Sequence, residues 1–205
     1  MVFAGICKIS WDSVQLTQTT LKTMETIATL DKTQADQLLD WCSRQELGPE
    51  HYAGKLTARR QKWWGLEAEI LGSSGRWLVH QRDAIQSDEY LASLKAKYRP
   101  DANSVLLYRY EIGAGIGEHS DKDCFEPMVV LVNLIDELPD LFGGRPPCRF
   151  RYGSKPGKAG TFESVPRYLD LQHGQIVQFN SRVLHGLPKL KTARYSLQFR
   201  RVVTP

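Results

Sequence analysis

The chain has no Cys-x-x-Cys pair, no apolar run of bilayer-spanning length, no sustained heptad and no internal repeat. Each absence closes off a class. The four cysteines, Cys7, Cys42, Cys124 and Cys148, are too scattered for a tight zinc-ligand cluster. Reduced thiols are the expectation, and with them a cytoplasmic or nuclear, reducing compartment. The opening MVFAGICKISWDSVQ lacks both a basic n-region and a long apolar stretch, so a secretory signal is not expected. No stretch has the length of a transmembrane helix, so no membrane partner is expected. Without heptads or repeats, the expected state is a monomer. Nor is the charge one-sided. The 27 Lys and Arg against 23 Asp and Glu leave a formal +4, which tolerates a polyanionic partner without demanding one.

At 205 residues the expectation is one domain, large enough to bury its own core. Its texture changes partway along. The first hundred residues read as mixed and helix-rich. In TQADQLLDWCSRQELG, Leu38, Leu39, Trp41 and Cys42 form a stripe, with a cap predicted at Thr33 and Asp36 and a stop at Gly48-Pro49. A second helix is predicted over Asp88 to Tyr98, ahead of Pro100. Between them, the Trp- and Arg-rich stretch 59–82 reads as a hairpin or a substrate-facing cover. After Pro100 come short β-rich runs: SVLLYRY (104–110), MVVLVNL (128–134), CRFRY (148–152), QIVQFN (175–180) and RYSLQFRRVV (194–203). Together these predict a mixed α/β chain with a β-rich core, a closed or nearly closed double-sheet barrel of jelly-roll or cupin-like type. Residues 1–102 are expected to form a supporting and covering region, and 103–205 the core that carries the chemistry.

Within that second half, His119 and Asp121 are two residues apart, and residues two apart on a strand share a face. A third ligand must come from elsewhere, and His185 follows another strand-like run. Two imidazoles and a carboxylate suit ferrous iron with open positions, although zinc also accepts such ligands. Taken singly, each has a plainer reading as a surface or turn residue. His51, His80 and His173 are poorer candidates, and Cys124 breaks the alternation with His119 and Asp121. Arg194 and Arg200 are an even number apart, so both can face inward from one strand and need anionic partners there. A short dicarboxylic acid such as 2-oxoglutarate fits them. Tyr108 and Tyr110 share a strand face and either donate to that acid or fill the barrel.

The run LLYRYEIGAGIGEHSDKD (106–123), the segment LQHGQIVQFNSRVLHG (171–186) and RYSLQFR (194–200) resemble the AlkB-like branch of the iron(II)/2-oxoglutarate-dependent dioxygenases. The resemblance covers roughly residues 100–203. It implies a double-stranded β-helix in which His119, Asp121 and His185 bind Fe(II). Arg194 would bind the distal carboxylate of 2-oxoglutarate with help from Tyr110, and Arg200 would lie near the other carboxylate and pair with Asp123. Two positions depart from the family pattern, which has Asn where this chain has Tyr108 and Ser196; both changes bear on co-substrate hydrogen bonding.

The resemblance further implies O2 as second co-substrate and hydroxylation of a C–H bond. On an N-methyl group this becomes demethylation, with release of succinate, CO2 and formaldehyde. The expected partner is single-stranded or base-flipped nucleic acid. Arg145, Arg149, Arg151, Lys155 and Lys158 are candidate phosphate contacts, as are Arg59, Arg60 and Arg76. Trp63, Trp64 or Trp77 is a candidate for stacking on a base, or else simply packs. The alternatives are hydroxylation of a protein side chain, lipid or small metabolite, and an inactive cupin-like binding module.

Overall fold

A computed structural model describes residues 24–52, 55–71, 76–136, 148–153 and 167–204. The chain order is β1 (Glu25–Thr29), α1 (Lys32–Ser43), β2 (Gly48–Tyr52), β3 (Lys55–Ile70), β4 (Trp77–Gln81) and α2 (Glu89–Tyr98). There follow β5 (Ser104–Tyr110), β6 (Ile116–His119), β7 (Met128–Ile135), β8 (Cys148–Gly153) and β9 (Arg167–Leu171). The chain finishes with β10 (Gln175–Asn180), β11 (Leu184–Leu187) and β12 (Arg194–Arg200). The major sheet runs β1-β10-β7-β12-β5-β3-β2, with β4 paired to β3; the minor sheet runs β6-β11-β8-β9. The fold is the expected double-stranded β-helix with helices on one face. No described helix is long and apolar enough to cross a membrane.

Side-chain alternation builds two cores on the two faces of the major sheet. Val130, Val132, Val105, Leu107, Leu197 and Phe199 point one way and pack with Leu38 of α1 and Leu91 of α2. Val129, Leu131, Val177 and Phe179 point the other way and meet Phe150, Tyr152 and Leu187 of the minor sheet. Both faces of β7 are therefore buried, which is why MVVLVNLI is apolar almost throughout rather than alternating.

The first hundred residues depart from the helix-rich expectation by contributing four strands. The β3 sequence favours helix by composition, but Arg59–Gly65 pairs residue by residue with Tyr110–Ser104. That ladder outweighs local propensity. At Gly65, with φ of 73°, the strand leaves β5, and its second half pairs with β4 from Leu66↔Gln81 to Ile70↔Trp77. A Cβ there would fall 2.2 Å from the carbonyl oxygen of Asn103, so only glycine fits. The stretch 59–82 is thus a hairpin whose base belongs to the major sheet.

The α1 cap also moves from its expected place. Asp31, not Thr33, accepts from the Gln34 amide at 2.8 Å, and Gln34 Oε1 accepts from the Asp31 amide at 3.3 Å. The box therefore starts two residues earlier, while Asp36 accepts from Lys32 Nζ. Gly48-Pro49 opens β2 instead of stopping the helix, which already ends at Ser43.

Candidate active site

His119 closes β6 and pairs directly across the strands with His185 of β11, their ring centroids 4.4 Å apart. Each Nδ1 lies 2.9 Å from a carbonyl oxygen, Gly117 for His119 and Val183 for His185. A carbonyl only accepts, so Nδ1 carries the hydrogen and each Nε2 lone pair is free. Both Nε2 atoms approach Asp121 Oδ1, at 3.6 Å and 3.8 Å. The three donor atoms lie within 4.8 Å of one another. This is the two-His, one-carboxylate set expected from sequence, and it suits ferrous iron. The convergence arises from a turn rather than continued strand alternation. β6 ends at His119, and the Asp121 amide donates to the Ser181 carbonyl at 2.9 Å.

Arg200 Nη1 donates to the other carboxylate oxygen, Asp121 Oδ2, at 2.6 Å. Burial alone would raise the Asp121 carboxyl. The Arg200 guanidinium, by its charge and its hydrogen bond, outweighs burial and holds the group well below the usual carboxylate range. Burial pushes the His185 imidazole down to about 4. Ionised carboxylate and neutral imidazole are the states a divalent ion requires.

Asp123 does not pair with Arg200 as expected. It is exposed and meets Arg182 at 2.8 Å, because the chain past His119 has left the strand and turned outward. Arg182 also donates to the carbonyls of Asp121 and Phe125, both at 2.8 Å, and so fastens the ligand loop. Nothing in the sequence marked that role. Cys124 packs with Ala68, Phe125 and Val202, where burial pushes its thiol up to about 11; it stands outside the ligand group.

A cavity of about 470 Å³ opens from the triad into the space between the sheets. Tyr108 and Tyr110 of β5 line it, as do Arg194, Ser196, Gln198 and Arg200 of β12, so all five expected co-substrate residues face one space. Arg194 is fully buried. Its Nη1 donates to Cys148 Sγ at 2.9 Å, and its Cζ sits 5.3 Å from the Tyr110 ring centre. Among the described residues, its Nε and Nη2 have no partner. A buried guanidinium with unmet donors calls for an anion, and the distal carboxylate of 2-oxoglutarate has the right chemistry.

Two further polar features of the cavity, the pairing of Glu50 with Arg59, which was expected only as a phosphate contact, and Gln198, were not read from sequence. Arg59 of β3 grips Glu50 of β2 through Nε at 2.6 Å and Nη2 at 2.7 Å, and the Tyr108 hydroxyl donates to the same carboxylate at 3.1 Å. The Tyr108 phenol is thereby engaged with Glu50. Gln198 lies between Ser196 and Arg200 on the inward face, where strand parity already pointed.

The aromatic and basic residues nominated for nucleic acid have other partners. Trp64 is core, and Trp77 packs against the cluster of Ala68, Phe125 and Val202. Trp63 stacks on Phe125 at 6.3 Å and is the tryptophan lining the cavity. Arg149 pairs with Asp170, Arg151 with Glu118, and Arg60 donates to the Leu47 carbonyl. Arg145, Lys155 and Lys158 lie outside the described residues.

No protein-family model matches the chain, and no curated protein does. Solved structures do match. An oxidoreductase of the 2OG-Fe(II) oxygenase family from Burkholderia pseudomallei superposes with a TM-score of 0.58 at 13% identity, over 87% of this chain and 83% of that one. A Pseudomonas putida prolyl-4-hydroxylase gives 0.52 at 17% identity, over 87% of this chain and 92% of that one. Identities this low speak to architecture alone. The chain has the fold of the 2OG-Fe(II) oxygenases, with a two-His, one-carboxylate triad lining the cavity between its sheets.

Proposed function

We propose that this protein is an Fe(II)- and 2-oxoglutarate-dependent oxygenase that hydroxylates a C–H bond of a protein side chain or small molecule. One observation carries the chemistry. A single cavity joins a facial metal triad to a buried guanidinium with unmet donors. Those are the two handles a 2-oxo dicarboxylate needs. With O2, the bound pair supplies oxidative decarboxylation, placing one oxygen atom in succinate with loss of CO2 and the other in the substrate C–H bond. His119, Asp121 and His185 hold the ion. Arg200 keeps Asp121 ionised, Arg194 orients the co-substrate with Tyr110 beside it, and Trp63 stacked on Phe125 walls the cavity from water.

The cavity lining is compatible with that substrate class. Ala68 and Ile70 of the β3–β4 hairpin line it beside Glu67 and Glu69, as do Glu118 and Lys122. Glu67 pairs with Arg82, Glu69 with His80 and Glu118 with Arg151, so these side chains form no uncompensated basic track for a phosphate backbone, and Ala68 and Ile70 offer an apolar surface to a neutral side chain. The shared architecture with a prolyl-4-hydroxylase is in keeping with a protein substrate. The second reading, oxidative demethylation of N-alkylated single-stranded or base-flipped nucleic acid, rests on the AlkB-like motifs at 106–123, 171–186 and 194–200. In that reading Trp63 is the stacking residue.

The test is anaerobic loading with Fe(II) and an oxygen-started assay that quantifies succinate together with substrate mass. Peptide and metabolite panels run beside N-methylated single-stranded DNA and RNA. Mass gain of one oxygen in a peptide or metabolite, coupled to succinate and absent in His119→Ala, is expected. Loss of a methyl group from an oligonucleotide would move the assignment to the second reading. No succinate from any fully loaded mixture would sink the oxygenase itself.

A further inference from the structure

Gln198 is 6% exposed and has no part in the site as assigned above. Its Oε1 accepts from Arg200 Nε at 2.8 Å, and its Nε2 donates to Ser196 Oγ at 3.1 Å. A guanidinium only donates, so the amide has one orientation, oxygen toward Arg200 and nitrogen toward Ser196. Arg200 is then held at three points: Gln198 on Nε, Asp121 Oδ2 on Nη1 at 2.6 Å, and the Phe125 ring 4.9 Å from Cζ. Asp121 Oδ1, left free by this arrangement, is the atom that both imidazole Nε2 atoms approach.

We infer that Gln198 is a positioning residue which, through Arg200, keeps Asp121 a ligand of one oxygen rather than two. The inference rests on the iron and 2-oxoglutarate reading of the site. A carboxylate can give a cation one oxygen or both. A facially bound six-coordinate ion has three open positions, two of them needed for the 2-oxo acid and one for O2. A second oxygen from Asp121 would occupy one of the three. Arg200 prevents this by engaging Oδ2, and it does so reliably only while its own Nε is anchored. An apolar residue of equal length at 198 leaves that buried N–H without an acceptor. The guanidinium then turns to satisfy it, and Oδ2 is released to the metal.

The experiment uses the full chain, anaerobic, titrated first with Fe(II) and then with 2-oxoglutarate, following the visible charge-transfer band of the chelated complex. In Gln198→Met, the 2-oxoglutarate Kd is expected to rise by about ten-fold, an energy of about 1.4 kcal/mol, and by more than any fall in Fe(II) affinity, because the second Asp121 oxygen competes for a co-substrate position and not for the ion. Arg200→Met is expected to raise the 2-oxoglutarate Kd at least as far, and the double variant to be no worse than Arg200→Met alone, because Gln198 acts through Arg200. Gln198→Glu, which keeps an oxygen facing Arg200, is expected to retain the band, and this holds the inference open to refutation should Gln198→Met fold poorly. Additive losses in the double variant would overturn the inference. Parallel loss of metal and co-substrate affinity, loss of the band in Gln198→Glu, or wild-type titrations from Gln198→Met would each do so too. Absence of any band in the wild-type protein would instead overturn the site reading itself, and this inference with it.

Discussion

Arg194 and Arg200 leave the same face of β12, both are buried, and both line one cavity, yet their surroundings are opposite. Arg200 has a carboxylate at 2.6 Å and an amide oxygen at 2.8 Å. Arg194 has a thiol at 2.9 Å and two donor nitrogens with no partner among the described residues. Burying a charge costs several kcal/mol unless a partner offsets it. At Arg200 the offset is built in, because Asp121 must stay ionised whether or not a ligand is present. At Arg194 the cost is carried by the ligand-free protein, and the proposed co-substrate carboxylate would relieve it. On the proposed reading one strand serves both as a clamp and as a receptor, and the difference lies in what stands against each guanidinium, Asp121 and Gln198 at Arg200 and the Cys148 thiol at Arg194.

The comparison predicts stability changes of opposite sign. Arg200→Met leaves the Asp121 carboxylate buried without its cation and is expected to cost about 3–5 kcal/mol in urea denaturation of the metal-free protein. The depressed Asp121 carboxyl stabilises the fold above its unfolded value near 3.8, and that contribution is lost as pH falls toward the folded value. The variant should therefore lose less stability than wild type on acidification below about pH 4. Arg194→Met removes a charge that has no carboxylate to lose. It should leave the ligand-free protein unchanged or more stable by about 1–3 kcal/mol. It should also abolish the rise in melting temperature that 2-oxoglutarate gives the metal-loaded wild type. If Arg194→Met destabilised the ligand-free protein as much as Arg200→Met, the contrast between clamp and receptor would be wrong.

The part of this arrangement readable from sequence is the part written in period two. RYSLQFR places Arg194 and Arg200 on one face by spacing alone; the same period also covers Gln198, which was not singled out from sequence. His119 and Asp121 were legible as a pair, although the turn that joins them is set by the Asp121–Ser181 hydrogen bond across sixty residues. The Arg59–Glu50 pair was not legible. Those residues lie nine apart on different strands, and neither carries a local signal that the two strands will meet. The hairpin at 59–82 was one of two readings there, and propensity could not choose between them, since its Lys, Arg, Gln and Glu favour helix until β5 supplies a ladder. The expected Asp123–Arg200 pair failed because the chain turns after His119, giving Asp121 to Arg200 and Asp123 to Arg182.

The smallest expected effect sharpens a second contrast, between the two ligand imidazoles, one about a third exposed and the other nearly enclosed. Burial lowers His185 to about 4, against roughly 6.5 in the unfolded chain. Between those values the unfolded chain binds a proton that the folded protein refuses, so stability rises with pH across the window and is lost as pH falls through it. Metal-free wild type should therefore lose about 1–2 kcal/mol between pH 6.5 and pH 5 through this residue, a loss that His185→Asn should not show. Nitrogen NMR of the ring gives the direct check. His185 is expected to remain the neutral, Nδ1-protonated tautomer at pH 5, with Val183 holding that hydrogen. A ring already cationic at pH 6 would mean that Asp121 and the Val183 carbonyl outweigh burial, and that the site must shed a proton before it can take a metal.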